Sequence, residues 1–174
     1  MSFSLYEALI PTYRQILRAM GKLLDKAEQW CADTQSNEQD LIDARLAQDM
    51  LPFGYQVKSL AVHSIGAIAG VRRGEFSPDV TPWPETLAGL KTRVLQTLQA
   101  LDELRPEEVN GFVGREMCFL FNGHRLEFAG AEVFLMTFSL PNFMFHATTA
   151  YDILRMQGLN IGKRDFLGKL ALKS

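Results

Sequence analysis

A stripe of polar residues runs along the most apolar helix that the sequence predicts. Its members recur at intervals of three and four residues and therefore share one helical face: Ser139, Asn142, His146 and Thr149. A buried polar group without a partner costs on the order of 1–3 kcal/mol. The stripe therefore indicates either the wall of a ligand pocket or a hydrogen-bonded seam in the core.

An earlier predicted helix carries a second polar stripe with another histidine. Gln56, Ser59 and His63 lie at helical spacing, away from the apolar face of that helix. If the two stripes face each other, His63 and His146 converge on one pocket, where His146 is hydrogen-bonded to Asn142 or Gln56. The alternative for each histidine, and the commoner case, is a packed or exposed side chain.

The same two histidines are candidate metal ligands. A catalytic zinc usually has three protein ligands, and non-haem iron often takes two histidines and one carboxylate. Asn142 is a poor third ligand, and Asp43 or Asp49 reaches the site only if their loop folds over the mouth of the bundle. With water or a loop carboxylate as a further ligand, His63 and His146 would hold zinc, nickel, manganese or iron. Such a metal ion lowers the pKa of a thiol or water bound to it.

Other side chains give weaker indications of chemistry. Asp43, Arg45 and Asp49 most simply form a salt-bridged loop, and the alternative is that Arg45 binds a substrate anion. Cys118 is expected on an accessible face of a hairpin. His124 is expected to be exposed beside the hairpin turn, the alternative being that it covers one end of the bundle. The sequence contains no phosphate-binding loop, nucleophile elbow or C-x-x-C motif.

Hydrophobic periodicity predicts the helices that position these residues. The first begins with a capping box at Ser4 and Glu7, and a polar break at residues 34–37 ends it. Pro11 should kink or loosen its first turns. After an irregular stretch from Leu41 onward, the second helix starts with proline in its first turn and ends at a basic, glycine-terminated exit.

Residues 75–84 contain three prolines and predict a loop before the third helix. Apolar residues at helical spacing place that helix over residues 87–104, and Pro106 ends it. Asn122-Gly123, flanked by apolar runs, then predicts a β-hairpin with Met117 opposite Phe128 on an apolar face that packs on the bundle.

A fourth helix over about residues 130–157, kinked at Pro141, completes an all-α fold. The sequence thus predicts a four-helix bundle with a small hairpin before the last helix, as a single domain over residues 1–174. Within the tail, residues 159–174, the segment 162–168 is expected to dock on the bundle or on a partner subunit.

The composition excludes several classes of function. The chain has 174 residues, a net charge of −2, 47% hydrophobic and 22% charged residues, which is typical of a globular protein. The balanced charge gives no electrostatic reason to expect nucleic acid or a membrane surface as partner. Two cysteines cannot form a disulfide framework. No signal peptide is evident, and the uncharged stretch over residues 133–151 contains too many polar groups for a membrane span, so we expect a cytoplasmic protein.

Three motifs, in this order along the chain, resemble an uncharacterised bacterial family of the DinB-like superfamily. They are LIDARLAQDMLPFGYQV (residues 41–57), PNFMFHATTAYDILR (residues 141–155) and IGKRDFLG (residues 161–168). The resemblance implies a DinB-like four-helix bundle, commonly a homodimer. Characterised members of the superfamily include metal-dependent thiol S-transferases and a thiol-dependent isomerase.

Those relatives bind metal through one histidine on the second helix and an H-x-x-x-H pair on the last. His63 matches the first ligand and His146 one member of the pair, while the other member would be Asn142 or Ala150. Two hypotheses follow. The one we favour is a metal-free or weakly metal-binding module that binds a small molecule or has a stress-related role. The alternative is a metal-dependent enzyme of the superfamily.

Overall fold

The computed structural model describes residues 4–172. Its first helix, α1 (Leu5–Thr34), begins at the predicted capping box. The Glu7 amide donates to Ser4 Oγ at 3.3 Å, and the Ser4 amide donates to Glu7 Oε2 at 3.1 Å. The helix stays α-helical through Pro11, and Gln35 caps its end in the left-handed conformation within the predicted polar break.

Shorter helices, two π-helical segments and three strands follow α1. In chain order they are α2 (Glu38–Asp43), α3 (Phe53–Ala61), the first π segment (Val62–Gly66), α4 (Ala67–Arg73), β1 (Glu75–Phe76), α5 (Leu87–Asp102), α6 (Pro106–Asn110), β2 (Met117–Phe121), β3 (His124–Phe128), α7 (Ala131–Phe134), the second π segment (Leu135–Ser139), α8 (Leu140–Met156) and α9 (Lys163–Leu167). The predicted second helix is the rod from α3 to α4, and the predicted fourth is the rod from α7 to α8. These two rods pack with α1 and α5 as a bundle around one apolar core.

Three short elements correct the predictions. The stretch after Leu41, predicted to be irregular, contains the last turn of α2, whose N-terminus is capped by Asn37. The segment predicted as a loop after Gly74 starts with strand β1. Pro106, predicted only to end the third helix, also starts α6, because proline suits the first turn of a helix.

The hairpin has the predicted register, with Met117 opposite Phe128. Asn122 and Gly123 both have positive φ, as a two-residue turn of this kind requires. The predicted apolar face packs on the bundle through Met117, Phe119 and Phe128, whereas Leu126 and Phe121 are exposed.

The prediction that Cys118 is accessible is wrong. β1 runs parallel to β2 and pairs Glu75 with Cys118, which makes β2 the central strand of a three-stranded sheet. Neighbours on both sides leave Cys118 only 2% exposed. His124, at the start of the edge strand β3, is exposed as expected.

The tail docks on the bundle. Ile161 is buried, Lys26 on α1 pairs with Asp165 at 2.7 Å, and Gln15 Nε2 donates to the Leu167 carbonyl at 2.8 Å. The last two residues of the predicted tail lie outside the described part of the chain. None of the helices between residues 4 and 172 has the length and apolarity needed to cross a membrane.

Candidate functional site

A cavity of about 410 Å³ lies between the α3–α4 rod and the α7–α8 rod. Further walls come from the loop at residues 49–51, from Phe76, Pro78 and Asp79, and from Phe119 of β2. This volume falls in the range of small-molecule sites, roughly 300–1,000 Å³.

A π segment interrupts each rod beside the cavity. The first places His63 in the cavity wall, and the second places Phe138 there. Ser139 Oγ donates to the His63 carbonyl at 2.9 Å and so joins the two segments directly. Such single π turns are rare and often mark functional sites.

The His63 and His146 rings stack in this wall, with centroids 5.5 Å apart and planes inclined by 19°. Tyr55 and Phe145 approach the His146 ring edge to face, with centroids at 5.8 and 5.4 Å. His146 is only 8% exposed. The two imidazoles therefore form one cluster, flanked by aromatic rings and open to the cavity.

Gln56 fixes the tautomer of His146. The side-chain amide of Gln56 donates through Nε2 to the Leu51 carbonyl at 2.7 Å, and a carbonyl can only accept. Gln56 Oε1 is therefore the atom that faces His146 Nδ1, 2.7 Å away, and it accepts a hydrogen bond from that nitrogen. Neutral His146 thus carries its proton on Nδ1, which leaves Nε2 as an acceptor or metal ligand.

His63 has the opposite character. Its Nδ1 is buried and has no hydrogen-bond partner among the described residues. Buried polar atoms are nearly always paired, so an orphaned one marks strain or a functional role. Nothing in the described structure offers His63 a structural partner comparable to Gln56.

Burial keeps both imidazoles neutral. Loss of solvation lowers the pKa of His146 to about 4. Loss of solvation, together with repulsion from His146, lowers the pKa of His63 to about 3. At neutral pH both rings therefore carry a free lone pair and no charge, but such weak bases are poor proton acceptors for general base catalysis.

Lys58 fixes another wall of the cavity and is not among the residues predicted from the polar stripes. It is 2% exposed, and its ammonium donates to the Asp79 carbonyl at 2.9 Å and to the Thr81 carbonyl. It also pairs with the Asp79 carboxylate at 3.2 Å. Hydrogen bonds from Thr81, and then this pairing with Lys58, lower the pKa of that carboxyl. One signal was available, since Lys58 shares helical spacing with Ala61 and Ile65 on the apolar face of the predicted helix.

The family described as "Domain of unknown function (DUF1993)" matches residues 5–167. This chain belongs to the DUF1993 family. No curated protein matches it. Among solved structures, it is similar to the crystal structure of a DinB family member protein from Shewanella denitrificans. That protein is 25% identical, with 98% of this chain and 95% of the other covered at a TM-score of 0.80. The predicted DinB-like bundle with a small β insertion is thereby confirmed.

This DUF1993 chain brings five residues of the two predicted polar stripes to the cavity wall: Gln56, Ser59, His63, Asn142 and His146. Three other predicted site residues lie elsewhere: Ser139, which bonds the His63 backbone, Thr149, which is buried outside the cavity wall, and Arg45, which is exposed on the loop after α2. The hydrogen bond of His146 goes to Gln56, while Asn142 Nδ2 donates to the Phe138 carbonyl at 2.7 Å.

The loop carboxylates do not form the predicted salt-bridged cluster. Within residues 4–172, Arg45 makes no ion pair with Asp43 or Asp49. Asp43 instead accepts a hydrogen bond from Gln39 at 3.0 Å. Asp49 lines the cavity, so this loop does fold over the site.

The DinB-like fold implies a metal, which the residues of this site fit only in part. His146 Nε2 and the His63 ring supply nitrogen ligands, but no group of three His, Cys, Asp or Glu side chains in the described part of the chain is placed to hold an ion. The Asp79 carboxylate is already engaged by Lys58 and Thr81. The resemblance places the further histidine of α8 at Asn142 or Ala150, and of these Asn142 is a poor ligand and Ala150 offers no ligand atom.

Proposed function

We propose that this protein is a small-molecule-binding module whose binding site is the cavity around His63 and His146. One observation carries the proposal: two stacked, neutral imidazoles line an open cavity, one locked with its Nε2 lone pair free and the other with an orphaned Nδ1. A structural histidine pair would be expected to satisfy both rings within the protein. A ligand carrying an N–H or O–H group would pair with His146 Nε2.

The proposal is tested by titrating a fragment mixture into ¹⁵N-labelled protein and following the amide shifts of α3 and α8. We expect fragments that shift these signals in the natural protein to lose at least tenfold in affinity in His146→Phe, because a hydrogen-bonded anchor is worth about 1.4 kcal/mol or more. The matched control is His124→Phe, which makes the same substitution at an exposed histidine outside the cavity. Equal binding by both variants would contradict the proposal.

The second candidate function is a metal-dependent enzyme of the DinB-like superfamily, such as a thiol S-transferase or a thiol-dependent isomerase. It is favoured by the charge state of the site, because two neutral imidazoles bind a divalent metal without first losing protons. Zinc, nickel, manganese and iron are the candidates.

Metal content per chain, measured by inductively coupled plasma mass spectrometry on untagged protein, separates the two functions. A site with only two protein ligands holds a metal ion weakly, so we expect the purified protein to contain well below one metal ion per chain. Near-stoichiometric metal that disappears in His63→Phe and His146→Phe, but not in His124→Phe, would favour the enzyme. Assembly as a homodimer and a cytoplasmic location stay predictions.

A further inference from the structure

We propose that the cavity selects a small organic cation, a protonated amine with an apolar body. This inference rests on the proposed function and names the chemical class of its ligand. It follows from the charges, the aromatic rings and the hydrogen-bond acceptors that line the same space.

The charged groups of the cavity wall are carboxylates. Asp49 and Asp79 line the cavity, whereas no lysine or arginine among residues 4–172 does. The ammonium of Lys58 lies behind the wall, held by oxygen atoms of Asp79 and Thr81. An anionic ligand would therefore find no cationic side chain to pair with, and an anion is costly to bury unpaired.

Asp49 is the carboxylate available to a ligand. Asp79 is neutralised by Lys58 at 3.2 Å and by Arg93 at 3.6 Å. Asp49, by contrast, is exposed and makes no ion pair or side-chain hydrogen bond with any other described residue. Its charge is thus free to attract and hold an ammonium group at the mouth of the cavity.

Aromatic rings surround the imidazole pair on both sides. Tyr55 and Phe145 flank His146, and Phe76 and Phe138 lie 5.7 and 5.9 Å from His63 between ring centroids. All four rings line the cavity, as does Phe119. Clusters of aromatic rings are the usual receptors for ammonium groups, because the negative ring faces attract a cation that has lost its water.

The hydrogen-bonding groups agree with a cationic donor. The hydrogen bond to Gln56 fixes the tautomer of His146, so its Nε2 is a hydrogen-bond acceptor. This nitrogen can accept from an ammonium N–H but cannot donate to a carboxylate. Charge, aromatic surface and acceptor thus favour the same ligand class.

The test compares three probes of matched size that differ in charge: benzylamine, which is protonated at pH 7, benzyl alcohol and benzoate. Each is titrated into ¹⁵N-labelled full-length protein at pH 7 and moderate salt. We expect benzylamine to bind about tenfold more tightly than benzyl alcohol, and benzoate to show no saturable shift at the cavity.

The variant Asp49→Asn should lower the affinity for benzylamine about threefold to tenfold and leave that for benzyl alcohol unchanged. Its matched control is Asp43→Asn, which removes a carboxylate from α2 that does not line the cavity. Equal affinities for all three probes would overturn the cation preference while leaving the small-molecule proposal intact. Binding of none of the three at the cavity would overturn both.

Discussion

Replacing Lys58 with methionine should destabilise the protein by about 3 kcal/mol, because it breaks a buried charge network while preserving the shape of the side chain. The ammonium serves two backbone carbonyls, those of Asp79 and Thr81, and one carboxylate, and the side chain is 2% exposed. Methionine leaves both carbonyls without a donor. Urea denaturation at pH 7 measures the change in the free energy of unfolding.

The control for this prediction is Lys22→Met, which makes the same substitution at an exposed lysine of α1. Surface substitutions of this kind usually change stability by less than about 0.5 kcal/mol. Because Lys58 also fixes the segment that carries Pro78 and Asp79 into the cavity wall, ligand affinity should fall in Lys58→Met even where the protein is fully folded. A stability loss no larger than that of Lys22→Met would show that water satisfies the two carbonyls.

The sequence predicts most of the fold because its signals are local. The capping box at Ser4 and Glu7, the turn at Asn122-Gly123 and the apolar periodicity all act over a few residues, and each matches the structure. Strand β1 could not be predicted from local signals, since two residues carry no periodicity and their pairing with β2 depends on the whole chain. The burial of Cys118 depends on the pairing of β1 with β2, so it could not be predicted from local signals either.

From the sequence, the meeting of His63 and His146 in one site could be predicted only on the condition that the two polar stripes face each other. The spacing of Gln56 and His63 places them on one stripe, and that of Asn142 and His146 on another, but no local rule states that the stripes face each other. The π segments add one residue to a helical turn, which rotates later side chains relative to an ideal helix. The choice of Gln56 over Asn142 as partner of His146 arises from tertiary packing.

The free energy of unfolding should fall as the solution is acidified from pH 6.5 toward pH 4, and the two buried histidines should account for most of the fall. Their folded-state pKa values, about 3 for His63 and about 4 for His146, lie below the unfolded value of 6.5. Between these limits the unfolded chain binds more protons than the folded one, so stability is complete above pH 6.5 and is lost as the pH falls. By pH 5 each histidine should contribute a loss of about 1–2 kcal/mol.

Variants in which phenylalanine replaces one histidine separate the causes of this acid sensitivity. His63→Phe and His146→Phe should each flatten the dependence of stability on pH, whereas His124→Phe, at an exposed position, should leave it unchanged.

The two buried histidine positions should differ in the effect of the substitution on stability at pH 7.5. His63→Phe removes an orphaned nitrogen and should be neutral or stabilising, but His146→Phe leaves Gln56 Oε1 unpaired and should cost about 1–3 kcal/mol. A stabilising His63→Phe that also abolishes ligand binding would show that this imidazole is kept for function, since the fold is better served without it. If His63→Phe were instead as destabilising as His146→Phe, the imidazole of His63 would have a structural partner after all, and the case for a ligand at that ring would be lost.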